Sequence, residues 1–169
     1  MQKKMSQQLE KIPDPREVLE IIYSLGLNFK GEGFGIYYPR NAWNWLVFCI
    51  LSLRTKDETS QAAYQRLAAE ILTPEDMIVA STDRIANLIF PCGFYQRKAV
   101  QLNKIAQIVH EQYQNEPPCT QKELLKLPGV GLKTANFVLS RAYGLPAICV
   151  DIHVHRISNR LGWVATRTP

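Results

Sequence analysis

Several familiar signals are missing from this chain, and each absence narrows its class. No stretch approaches the roughly 18–20 consecutive apolar residues of a membrane-spanning helix. The N-terminus, MQKKMSQQLEKIPDP, has no apolar core of a secretory signal. The four cysteines, Cys49, Cys92, Cys119 and Cys149, stand 43, 27 and 30 residues apart, and no C-x-x-C pair occurs. That spacing argues against a metal or iron–sulfur site built from these thiols, and reduced, mostly buried cysteines are expected. There is no internal repeat and no low-complexity tract. Alternating apolar and polar residues, the mark of a half-buried strand, are scarce.

What the sequence does have is apolar content and a lopsided charge. Hydrophobic residues make up 46% of 169, enough for a real core. The net charge is +5. Residues 1–119 hold 13 basic and 13 acidic side chains, whereas residues 120–169 hold 7 basic and 2 acidic ones. The whole excess sits in the last fifty residues, a distribution that suits a polyanionic partner.

The apolar spacing reads as helices. Arg16 to Leu25 is amphipathic, with Gly26 as its stop. Asn28 to Arg40, with Gly31, Gly33, Gly35 and Pro39, reads as a loop or crossover. Trp43 to Leu53 is almost wholly apolar, which predicts a central buried helix. Helices are predicted over Asp57 to Leu72 and Ser81 to Phe90. Between them Thr73-Pro-Glu-Asp76 opens a helix with a capping hydroxyl, proline and acids in the first turn. Arg97 to Tyr113 is expected to bury Val100, Ile105, Ile108 and Val109. Thr120-Gln-Lys-Glu123 has the pattern of a capping box. The fold class is therefore all-α.

The segment richest in chemical meaning is Leu127-Pro-Gly-Val-Gly-Leu-Lys-Thr-Ala135. A short helix is expected to end at Leu127, and a second to run from Leu132 to Tyr143. In the turn, Gly129 and Gly131 permit positive φ and carry no side chain. The backbone N–H groups of the turn and of the next helix's first residues, up to Thr134, can then face one phosphate. Val130 would pack between the two helices. Such a hairpin grips the backbone of a nucleic acid without reading bases.

Lys133 lies in the first turn of the second helix, and Asp151 lies eighteen positions further on, before a helix over Ile152 to Leu161. Alone, the lysine reads as a solvated helix residue and the aspartate as an N-cap. The chemical reading is that Lys133, its amine neutralised by partial burial and a helix N-terminus, attacks the C1′ of a flipped-out nucleotide and leaves a Schiff base. Asp151 would stabilise positive charge on the sugar or assist proton transfer.

The run LPGVGLKTANFVLSRAYGLPAICVDIHVHRISNRLG resembles the endonuclease III branch of the helix-hairpin-helix–Gly/Pro–Asp DNA glycosylases. It carries the hairpin, the lysine directly after it, Gly144-x-Pro146, and Val150-Asp-x-His-Val154. Upstream, Ile50 to Asp57 and Gly93-Phe-Tyr-Gln-Arg-Lys-Ala99 extend the resemblance to about residues 36–165. In that branch the lysine is the nucleophile and the aspartate its partner, which the resemblance carries to Lys133 and Asp151. It also implies that Arg54, where a glutamine often stands, fills the gap left by the flipped base. Phe94 would wedge between stacked bases, and Lys98 would contact DNA.

By the same resemblance the fold has two helical lobes. A six-helix barrel spans about residues 36–145, with the hairpin at 124–143. A second lobe joins residues 1–35 to 146–169 and is expected to be incomplete. The family's four-cysteine loop for a 4Fe-4S cluster is absent, so no cofactor is expected within these residues. Also expected is a cytoplasmic, nucleoid-associated monomer acting on damaged double-stranded DNA. The activity implied is a glycosylase with β-eliminating AP lyase, acting on oxidised pyrimidines. The alternatives are a non-catalytic or truncated DNA-binding remnant, or a monofunctional mismatch glycosylase. Relatives of the last kind usually lack the lysine at this position.

Overall fold

The computed structural model describes residues 12–25 and 41–169. The Asn28 to Arg40 loop reading and the 35/36 lobe boundary lie outside those residues. The described residues form nine α-helices and no strand. The chain divides into two compact units, Phe34–Cys149 and Met1–Gly33 with Val150–Pro169.

The larger unit is organised around α2 (Ala42–Ser52), whose residues from Ala42 to Leu51 are all buried. A run whose only polar side chains are Asn44 and Ser52 has no polar face to offer solvent, so its helix must be surrounded. It is, by α3 (Asp57–Glu70), α6 (Tyr95–Tyr113) and α8 (Leu132–Ala142). The side chain of Asn41 caps α2 by accepting from the Asn44 N–H at 2.9 Å. Helices α4 (Pro74–Val79) and α5 (Thr82–Ile89) pack on α6, and the one-turn α7 (Gln121–Leu124) packs on α8. Leu46, Leu67, Met77, Ile85, Leu102, Ile105 and Leu124 meet in one core.

Local chemistry sets the ends. Thr73 and Asp76 form a reciprocal capping box before Pro74. Thr120 accepts from the Glu123 N–H, but the return bond of a capping box is not made. The Glu123 carboxylate is taken instead by Tyr113 Oη and Lys126 Nζ, each at 2.8 Å. The helix after Thr120 also ends at Leu124 rather than Leu127, and turns cover the rest. On α6 the buried stripe is Ala99, Leu102, Ile105, Ala106 and Val109, while Val100, expected inside, is 44% exposed.

In the smaller unit, α1 (Pro15–Ser24) and α9 (Ile152–Arg160) are joined through Trp163, whose Nε1 donates to the Pro13 carbonyl at 2.6 Å. Neither helix has a buried residue. Leu19, Ile21, Ile152 and Ile157 are exposed. Of the apolar face read on the first helix, Leu19, Ile21 and Leu25 are exposed, while Val18 and Ile22 are half-buried.

Candidate DNA-repair site

The turn between α7 and α8 is set by two different glycines. Gly129 sits at φ +69°, where a side chain is strained. A Cβ there would also meet Gln101 Nε2 at 2.5 Å. That amide donates to the Pro128 carbonyl at 2.8 Å and ties the turn to α6. Gly131 has φ −99°, open to any residue, so the positive φ expected there is not what it supplies. A Cβ on Gly131 would meet nothing within 4 Å. Its lack of a side chain thus leaves the mouth of α8 uncovered. No side chain caps α8, so its first N–H groups face outward at the positive end of an eleven-residue helix.

Val130 is 6% exposed and packs in the core, where it fixes the angle between the helices. It cannot offer its side chain to DNA. Thr134 is buried likewise, being 2% exposed with its side chain hydrogen-bonded to Cys49. Any role it has toward a phosphate is left to its backbone.

Lys133 stands exposed in the first turn of α8. The partial burial expected for it is not supplied, whereas the helix N-terminus is. Asp151 belongs to the smaller unit and caps α9, its Oδ1 accepting from the His153 and Val154 N–H groups at 2.9 Å each. The capping role read from sequence is thus real, and it holds the carboxylate in a fixed orientation.

Two further turns of the larger unit carry the other expected contacts. Arg54 follows α2 and is exposed at φ 52°. Phe94 precedes α6 at φ 59° and is 53% exposed. Both hold left-handed backbone, which costs a non-glycine residue energy and concentrates at functional positions. The Arg54 guanidinium lies over the Phe94 ring, 5.6 Å from its centroid. The two turns touch, since a Cβ on Gly93 would sit 2.4 Å from the Arg54 carbonyl oxygen.

Lys98 departs most from expectation. It is 5% exposed, so it is no surface contact for DNA. Its Nζ donates to the carbonyls of Leu51 at 2.8 Å and Leu53 at 2.7 Å, and to Thr55 Oγ1 at 3.0 Å. Burial lowers its pKa, opposed in part by the nearby Cys92. The three oxygens, two of them at the negative end of α2, are what make an inward ammonium tolerable.

The cysteines offer no cluster cage. Cys49 and Cys92 are buried, Cys149 is half-buried and Cys119 is exposed. Among the described residues no group of His, Cys, Asp and Glu is placed to hold a metal ion. Nor is any helix of them long and apolar enough to cross a membrane.

Among the described residues, an all-helical fold with a glycine hairpin, an uncapped helix N-terminus, a lysine in that helix's first turn and two exposed loop side chains defines a class, and comparison with known proteins agrees. Residues 47–169 match the profile of the HhH-GPD superfamily of base excision DNA repair proteins, and the chain belongs to that superfamily. Within it, the similarity is to the endonuclease III branch. The chain is 44% identical over 137 residues to endonuclease III of Thermotoga maritima, covering 78% of this chain and 64% of that protein. It therefore spans less than two thirds of that relative. A solved non-covalent endonuclease III–DNA complex aligns with a TM-score of 0.75 at 32% identity, over 90% of this chain and 71% of that one. A trapped endonuclease III–DNA covalent intermediate aligns at 0.76 and 33% identity, with the same coverage.

Proposed function

We propose that this chain is a bifunctional DNA glycosylase and AP lyase that excises oxidised pyrimidines from duplex DNA. The observation that carries the reading is the mouth of α8: uncapped N–H groups, an uncovered Gly131 and an exposed Lys133 within one turn. A phosphate seated on those amides brings the neighbouring sugar within reach of the lysine.

The Lys133 amine attacks C1′ of the flipped nucleotide through its nitrogen lone pair. The glycosidic C–N bond breaks, and the base leaves with the electron pair and takes up a proton. The sugar ring then opens, with a proton on O4′ and a C1′=N Schiff base to Lys133. Loss of a C2′ proton and cleavage of the C3′–O bond releases the 3′ phosphate as leaving group. Water returns the lysine. In this reading Asp151 stabilises the positive charge on the sugar. Arg54 and Phe94 would occupy the space the nucleotide vacates.

No iron–sulfur cluster is proposed within these residues, and iron analysis of the purified protein tests that. The function itself is tested by incubating the protein with duplex DNA carrying thymine glycol or an abasic site, then adding borohydride. A covalent protein–DNA adduct that disappears in Lys133→Ala is the expected result. Intact DNA binding with no adduct overturns the enzyme reading in favour of a binding module.

A further inference from the structure

The two exposed side chains of the expected wedge come from turns about forty residues apart in sequence, yet they are built as one piece. The Thr55 hydroxyl joins them. It accepts from Lys98 Nζ and from the Gly93 N–H at 3.1 Å, and donates to the Leu53 carbonyl at 3.2 Å. Lys98 closes the same knot from the first turn of α6, reaching the last carbonyls of α2. Arg54 lies between Leu53 and Thr55, and Phe94 lies next to Gly93. The bonds therefore grip the backbone on either side of Arg54 and just before Phe94. Both residues keep left-handed backbone that an unbraced turn would relax.

We infer that Lys98 is a positioning residue, not a DNA contact: its buried ammonium fuses the 53–55 and 92–94 turns into one rigid wedge that presents Arg54 and Phe94 as a pair. A preformed wedge opens the duplex without first ordering two loops, so the ordering cost is met in folding rather than in binding. The same helix carries Gln101, one turn on, whose amide holds the hairpin turn at Pro128. Helix α6 thus sets the spacing between wedge and phosphate grip. This inference rests on the proposed glycosylase reading, and its test separates the two.

The variants are Lys98→Met, which keeps the side-chain length and removes the donors, and Thr55→Val, which removes only the hydroxyl. Two readouts are taken. The first is unstacking, followed by 2-aminopurine fluorescence beside a thymine glycol in duplex DNA, which needs no bond breaking. The second is the single-turnover rate of base release from that duplex, compared with borohydride adduct formation on a single-stranded abasic oligonucleotide, where nothing must be unstacked. Both variants are expected to lose the fluorescence rise and to slow the duplex reaction by about a hundredfold, while the single-stranded reaction falls far less. An equal fall on both DNAs means that Lys98 only holds the fold, and no fall on either means that the brace is irrelevant. Either result overturns the inference. A wild-type chain that unstacks the duplex but forms no adduct refutes the lyase reading and leaves the wedge standing. One that does neither refutes both.

Discussion

The Arg54 guanidinium rests 5.6 Å from the centre of the Phe94 ring, and both residues hold positive φ. The contact depends on the turns meeting at Gly93. Gly93→Ala places a Cβ 2.4 Å from the Arg54 carbonyl oxygen, a backbone atom that cannot swing away. A loss of about 1–3 kcal/mol in unfolding free energy is expected from that overlap. Urea denaturation measures it, and wild-type stability would mean that the two turns do not touch in solution.

The capping box at α4 makes a pH prediction. Hydrogen bonds from the Thr73 side chain and backbone hold the Asp76 carboxyl below its ordinary range. A depressed carboxyl contributes stability at pH above its unfolded value and loses it as pH falls through the folded one. The difference in unfolding midpoint between wild type and Asp76→Ala should therefore be constant near neutrality and close in acid. Thr73→Ala removes the other half of the box and should cost about 1 kcal/mol.

Thiol chemistry should separate the cysteines. Burial raises the Cys49 pKa to about 11, only partly opposed by the hydrogen bond with Thr134. Because the thiolate is the reactive form, Cys49 should resist alkylation at neutral pH until the protein unfolds. Cys119, which is exposed, should label at once. Mass-mapped labelling in native buffer and in denaturant checks both, and early modification of Cys49 would contradict its packing.

The hairpin turn leans on α6 through one amide. Gln101→Ala leaves the Pro128 carbonyl without that donor. The expected stability cost is about 1 kcal/mol. Affinity for undamaged duplex, read by fluorescence anisotropy, should weaken more than stability alone explains. Unchanged affinity would show that the turn is held without Gln101.

The features legible in the sequence were those set by neighbours along the chain. An almost wholly apolar run marks α2, a threonine before Pro-Glu-Asp marks α4, and two glycines around Val130 mark the hairpin. The features that were not legible depend on partners brought in by the fold. Lys98 looks like any basic residue in a helix start, and its acceptors lie 43 to 47 residues away. Thr134 follows the lysine in the motif, yet the helix turns it onto Cys49 in the core. At Thr120 the capping pattern is present, but Tyr113 and Lys126 compete successfully for Glu123. No local signal marks Phe94 as left-handed, and α6 begins at Tyr95, two residues before the start that the apolar spacing predicts.

In the proposed chemistry Lys133 is the residue that joins the sugar. The most direct measurement is peptide mapping by mass spectrometry of the borohydride-trapped complex formed with an abasic duplex. The predicted result is a single modified peptide with the reduced sugar on Lys133. A sugar found on another lysine or on the N-terminal amine would contradict the assignment.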